Sequence, residues 1–278
     1  MFNKSIKAII ATFFIIPFVF SGCDDTARSL TYPAPPDSRV PIINADHDRL
    51  IEVDANGKKA RAIFTRNGKK LVVLLHGNAC TINAMSDYAR RFHQIGYSTL
   101  LIEYPGYGIS SDETPSEKMI YRHTCTLLSS VQKNNAFNRE DVLLFGQSLG
   151  TGVAMELASR KLAGKVILVS PFTSMKDVAR FHYPDLLVSI ILSENYDSLS
   201  KAPLVDVPVL IIHGEKDRVV PHHMGMMLHN KLKHSSIISI HGAGHNDIHY
   251  YFDSKLWKKI ISFIKTGNQQ LMKNEKQE

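Results

Sequence analysis

Apolar positions along this 278-residue chain follow two alternating rhythms. Short, nearly continuous apolar runs occur at residues 70–75, 97–103, 142–145, 165–169 and 207–212, the pattern of strands buried on both faces. Between them the spacing changes to that of one helical face, as in Met85, Tyr88, Ala89, Phe92 and Ile95, or Ile120, Thr124, Leu127, Leu128 and Val131. Gly96 follows the first of these helices as a stop, and Pro115-Ser116 opens the second. Residues 50–54 and 60–65 flank Asn56-Gly57 and predict a hairpin with a primed turn. Residues 221–232 predict a helix, residues 236–240 a last strand, and Phe252, Leu256, Ile260, Phe263 and Ile264 a final amphipathic helix, with polar residues fraying from Lys265 onward. Strand and helix alternate, so the expected fold class is α/β, a mostly parallel central sheet with helices on both faces and right-handed crossovers.

The alternation lapses between Pro171 and Ala202. Phe172, Met175, Val178, Phe181, Tyr183, Leu186, Leu187, Ile190, Ile191 and Leu192 recur there mostly at helical intervals. Helices inserted between two central strands sit over the strand ends, so residues 172–202 are expected to form a short helical lid, with an amphipathic pair packed on the core as the plainer alternative. The central domain is expected to span residues 48–267, with a polar tail at 268–278.

The N-terminus reads differently. Lys4 and Lys7 precede an apolar run, Ala8 to Phe20, broken by Thr12 and Pro17 and short for a bilayer span, so residues 1–22 read as a signal peptide. The following Ser21-Gly22-Cys23 resembles a bacterial lipobox, although Phe20 stands where leucine is usual. That resemblance implies a diacylated Cys23 as the mature N-terminus, a membrane-anchored protein facing the periplasm, and, from Asp24, retention at the inner membrane; ordinary secretion is the alternative. Residues 23–47 carry Pro33, Pro35, Pro36 and Pro41 and are expected to be an extended linker.

Composition narrows the remaining classes. The formal charge of +7 falls to +5 without residues 1–22, and the excess basic residues lack aromatic interleaving, so a solvated surface is expected and nucleic-acid binding is not. Cys80 and Cys125 are expected as independent thiols. No dinucleotide fingerprint or phosphate loop is present, and no cofactor is expected.

The candidate chemistry centres on residues 141–160. The strand ends in Gly146-Gln147-Ser148-Leu149-Gly150, and Val153, Ala154, Leu157 and Ala158 then follow helical spacing. This strand, Gly-x-Ser-x-Gly turn and helix is the context of a nucleophile elbow, with Ser148 at the apex. A serine hydroxyl needs a base oriented by a carboxylate, and in a parallel sheet both belong on loops after later strands. Residues 213–221 offer Asp217, with Glu215 as a rival; residues 241–247 offer His245, with Asp247 beside it. Oxyanion donors are expected from the Leu149 amide and from Asn78 or Ala79 after His76-Gly77. His241, His245 and His249 repeat every four residues, but Gly242 and Gly244 oppose the helix that would align them, and no metal site is expected.

Taken together, HGNA, EYPGYG, FGQSLG, SPFTS, PVLIIHGEKDRVVP and GAGHND resemble the α/β-hydrolases over about residues 50–265, and within them the membrane-associated ABHD-type group that includes depalmitoylating thioesterases. The resemblance implies a serine hydrolase acting on an ester or thioester, with Ser148 as nucleophile, His245 as base and Asp217 as its orienting acid. It favours Asn78 for the second oxyanion donor. A silent hydrolase fold serving as an envelope scaffold, or peptidase or perhydrolase chemistry on the same three residues, are the alternatives.

Overall fold

The computed structural model describes residues 31–35 and 39–269; the expected signal peptide, Cys23 and the end of the tail lie outside the described residues. Among the described residues, eight strands form one sheet in the order β1-β2-β4-β3-β5-β6-β7-β8. They are β1 (Asp48–Asp54), β2 (Lys59–Thr65), β3 (Lys70–Leu75), β4 (Tyr97–Glu103), β5 (Val142–Gln147), β6 (Lys165–Val169), β7 (Val209–Gly214) and β8 (Ser235–Ile240). The β1–β2 and β2–β4 pairs are antiparallel and all others parallel. The hairpin turn is as predicted: Asn56 and Gly57 both have positive φ, 66° and 80°, matching the twist of the strands they join.

The helices are α1 (Ser86–Gln94), α2 (Glu117–Asn135), α3 (Leu149–Ser159), α4 (Met175–His182), α5 (Asp185–Ile191), α6 (Ser198–Lys201), α7 (His222–Lys231) and α8 (Ser254–Thr266). Successive side chains of a strand point to opposite faces, and β3 shows the consequence. Its Leu71, Val73 and Leu75 join the core beneath α2, α3 and α7, whereas Val72 and Leu74 join the core beneath α1 and α8. Ser116 caps α2 by accepting the Met119 amide, and Gly96, at φ 86°, follows α1. The parallel strands β3, β5, β6, β7 and β8 therefore end along one edge of the sheet, and every candidate catalytic loop leaves from that edge.

Three regions differ from expectation. Residues 31–35 and 39–47 are not a free linker: Tyr32 is 3% exposed within the main core, Pro41 is buried, and the Asp48 carboxylate accepts the amides of Ile43 and Asn44. Proline prevents helix and sheet here, but an aromatic ring and backbone donors still find partners. The C-terminal end does not fray at Lys265; α8 runs to Thr266, and a further turn through Gln269 half-closes over Pro208, leaving Asn268 only 9% exposed. The insert is helical, but its apolar residues divide. Phe172 and Val188 are buried, while Phe181 and Leu186 are 55% and 71% exposed. Two short helices cannot bury both faces against one strand edge.

Helix α3 comes extremely close to the sheet. A Cβ on Gly150 would stand 2.1 Å from the Leu75 carbonyl oxygen, and one on Gly146 would stand 2.4 Å from the Gly150 carbonyl oxygen. Gly150→Ala therefore forces strand and helix apart and should cost at least about 1–3 kcal/mol, read as a lowered urea midpoint with an unchanged slope. A midpoint equal to wild type would show that this contact relaxes without cost.

Candidate active site

Ser148 sits where β5 ends and α3 begins. Its φ of 51° and ψ of −118° lie outside the regions a side-chain-bearing residue ordinarily occupies, a strain of roughly 1–3 kcal/mol that the surroundings must hold. They do so from both sides. The Ser148 amide donates to the Val169 carbonyl at 2.9 Å, and the Ser148 carbonyl accepts both the amide and the hydroxyl of Thr151 at 2.9 and 2.6 Å. The side chain is consequently thrust out at the strand edge and remains partly exposed.

The three residues expected to meet do meet. His245 Nε2 is 3.0 Å from Ser148 Oγ, and His245 Nδ1 is 2.7 Å from Asp217 Oδ2. A carboxylate accepts hydrogen bonds, so Nδ1 carries the ring proton and donates it, leaving the Nε2 lone pair for the serine hydroxyl. The imidazole is 12% exposed and the carboxylate buried, so water reaches the base but not its orienting acid.

Asp217 is held on every side. Its Oδ1 accepts the amides of Val219 and Val220 at 2.9 and 2.8 Å, and His213 Nε2 lies 3.4 Å from Oδ2 while donating to the Val220 carbonyl at 2.9 Å. Burial alone would push the Asp217 carboxyl up. The hydrogen bonds from His213 and His245, the charge of His245 and the Val220 amide more than reverse this and hold it well below the usual carboxylate range. The rivals are occupied elsewhere: Glu215 Oε2 pairs with His241 Nδ1 at 2.9 Å, and Asp247 Oδ1 accepts the Gly244 amide. Each of the three histidines spaced by four has its own neighbour: Glu215 for His241, Asp217 and Ser148 for His245, and for His249 the Tyr250 ring, with centres 3.9 Å apart.

The turn after β3 lies directly against the serine, since a Cβ on Gly77 would stand 3.4 Å from that of Ser148. Buried groups beneath shape this turn. His76 Nδ1 donates to the Gly77 carbonyl at 2.8 Å, and His76 Nε2 faces Glu103 Oε1 at 3.0 Å, with both side chains fully buried. Oxygen therefore faces both ring nitrogens. The Tyr104 hydroxyl donates to the His76 carbonyl at 3.0 Å, and its ring packs 4.0 Å from the imidazole. The Asn78 side chain is fully engaged: Nδ2 donates to the Thr31 carbonyl at 2.7 Å, and Oδ1 accepts the Tyr107 hydroxyl and, at 3.1 Å, the Ala79 amide.

Cys80 and Cys125 are both free thiols, and burial pushes each up in pKa, away from nucleophilic character. Sequence reasoning passed over His213, Glu103, Tyr107 and Tyr32. His213 and Glu103 could have been noticed as ionisable residues ending otherwise continuous apolar strands; nothing local marked Tyr32.

Comparison with known proteins agrees with this architecture. Residues 66–196 match the family model described as serine aminopeptidase, S33, and residues 193–274 match that of TAP-like protein. An esterase of Pyrococcus furiosus superposes with a TM-score of 0.70 at 18% identity, covering 84% of this chain and 96% of the esterase, a likeness of fold. An uncharacterized protein of Mycobacterium tuberculosis is 28% identical over 249 residues, 87% of each chain. Alpha/beta hydrolase domain-containing protein 17B of Xenopus tropicalis is 33% identical over 204 residues, 71% of this chain and 68% of the relative. With that identity over two thirds of its relative and the strand order described above, the chain belongs to the α/β-hydrolase superfamily, in the family of alpha/beta hydrolase domain-containing protein 17.

Proposed function

We propose that this hydrolase cleaves carboxylic esters or thioesters of acyl chains through an acyl-enzyme on Ser148. The observation that carries the reading is the His245 ring, bonded to Ser148 Oγ on one side and to Asp217 on the other. In this mechanism Ser148 Oγ attacks the acyl carbonyl carbon as its proton passes to His245 Nε2, and Asp217 holds the Nδ1 proton and stabilises the imidazolium. The tetrahedral oxyanion collapses, expelling the alcohol or thiol, which takes the proton from Nε2. Water then repeats the steps in reverse order, releasing the acid and restoring the serine.

The oxyanion is bound by the Leu149 amide, first in α3 where the helix dipole adds to it, and by the Asn78 amide. Asn78 is favoured over Ala79 because the Ala79 amide already donates to Asn78 Oδ1. The exposed apolar face of the insert supports acyl chains of some length: Phe181, Leu186 and Leu187 crown α4 and α5, and His182 Nε2 donates to the Val219 carbonyl on the loop of the acid. In this reading Cys23 carries the lipid anchor and the enzyme works at the periplasmic face of the inner membrane. The aminopeptidase description of the matching family model keeps peptide hydrolysis as the second reading.

A fluorophosphonate probe should label the wild type and leave Ser148→Ala unlabelled; equal labelling removes Ser148 from the mechanism. p-Nitrophenyl esters should be turned over faster from butyrate to octanoate than as acetate, and faster than p-nitroanilide peptides; acetate-only or peptide-only activity contradicts the acyl-chain reading. Asp217→Asn should lower kcat by about 10⁴, the loss seen when a serine protease triad is altered in this way. The same variant has a signature in acid. A carboxyl depressed on folding stabilises the fold above its unfolded pKa of about 3.9, and that stability drains as pH falls through this value toward the folded one. Urea midpoints should therefore decline less steeply between pH 6 and 3 in Asp217→Asn than in wild type, and parallel declines would show that Asp217 is not held as described.

A further inference from the structure

The segment before the first strand reaches the site from outside the sheet, and it touches both halves of the oxyanion site. At one end the Thr31 carbonyl accepts Asn78 Nδ2 at 2.7 Å. At the other, the Tyr32 hydroxyl lies 2.8 Å from that of Tyr196. Tyr196 is fully buried, stands at φ 45°, and receives the Tyr121 ring edge-on at 5.4 Å. It rests on the elbow helix where α3 has no side chain: a Cβ on Gly152 would stand 3.0 Å from Tyr196 Cβ. Two adjacent arm residues thus bridge the turn that carries the Asn78 amide and the helix that begins with the Leu149 amide.

An oxyanion hole works because its donors are fixed before charge develops. The two donors here belong to different elements, one on the β3–α1 turn and one on α3, and the positive φ of Ala79 shows that the turn is not a relaxed one. The Asn78 side chain is the handle on that turn. Tyr107 and the Ala79 amide hold its Oδ1, and the arm holds its Nδ2. The arm itself is held by burying Tyr32 to 3% exposure, with Pro33 following immediately.

We propose that Thr31 and Tyr32 are positioning residues of the active site, fixing the Asn78 amide relative to the Leu149 amide. The proposal rests on the acyl-enzyme reading and adds that the N-terminal arm completes the catalytic site rather than merely tethering it. Donor placement matters when the oxyanion forms and little when substrate binds, so the arm acts on kcat and on affinity for tetrahedral mimics, leaving KM nearly unchanged.

The test uses the full chain in detergent with p-nitrophenyl butyrate and an alkylboronic acid, which mimics the tetrahedral adduct. Tyr32→Ala should lower kcat about tenfold, less than complete loss of a donor, and weaken the boronic acid by a similar factor while KM stays within about twofold. Tyr32→Phe, which keeps the ring and loses only the hydroxyl pair, should fall between the two. On an Asn78→Ala background Tyr32→Ala should change kcat less than about twofold, because its effect runs through the Asn78 side chain. Circular dichroism at the assay temperature checks folding; if Tyr32→Ala is unfolded, Tyr32→Phe and its cycle with Asn78→Ala decide. Wild-type kcat and inhibitor affinity in a folded variant, or full additivity with Asn78→Ala, overturn the proposal. If the wild type turns over esters and labels at Ser148 while this series is flat, only the role of the arm fails; a wild type that does neither ends both readings.

Discussion

The contact on which the site depends is the approach of one helix to one strand edge. Helix α3 can begin immediately after β5 only if nothing projects between them, and Gly146 and Gly150 provide that space. Because the helix starts so abruptly, Ser148 is driven to a positive φ that local energetics oppose. The strain is sustained by bonds from both neighbours, the Val169 carbonyl of β6 and Thr151 of the helix. A nucleophile held this way has few conformations to search, so its hydroxyl is already aimed at the base before substrate arrives. The sheet does the rest: parallel pairing ends β3, β5, β6, β7 and β8 along one edge, so Asn78, Asp217 and His245, which lie 70, 69 and 97 positions from Ser148 in the sequence, come together there only through the fold.

Much of this was legible in the residue pattern, because the relevant signals are local. A buried parallel strand is a run of apolar residues whatever its partners are, and the runs at 70–75, 97–103 and 165–169 coincide with β3, β4 and β6. The Asn56-Gly57 turn and the Ser116 cap depend on neighbours a few residues away, and both form as the residue types require. The residues that meet at the candidate site were legible for a further reason: motif and strand order together limit which loops can approach the serine. Where two carboxylates shared one loop, sequence could not separate them by geometry. The structure does, since Glu215 is drawn off by His241 while the Asp217 carboxylate lies beneath two successive amides.

What was not legible is the set of contacts made across long separations by residues with no local signature. Tyr32 lies in a proline-rich stretch whose local physics is that of a linker, and Tyr196, 164 positions later, gives its hydroxyl a buried partner. His76 and Glu103 end two different apolar strands, and their pairing follows from β3 and β4 being neighbours in the sheet. The turn at Gly267–Gln269 is equally non-local, since its shelter is Pro208 at the start of β7.

The carboxylate behind the base shows why so many groups are spent on one residue. An ion in a dry pocket is costly unless its oxygens have donors, and Asp217 has three close ones, the amides of Val219 and Val220 and His245 Nδ1, with His213 Nε2 a more distant contact 3.4 Å from Oδ2. The two amides fix Oδ1 and the plane of the carboxylate, so Oδ2 is turned toward His245 without freedom to rotate away. A glutamate at the same position would carry one more torsion and move its oxygens off the Val219 and Val220 amides, which lie on the very next turn of backbone. The short side chain therefore couples the loop conformation to the direction of the hydrogen bond. The base is oriented by a turn of backbone, and that turn is in its own place because His213, the buried end of β7, donates to its last carbonyl.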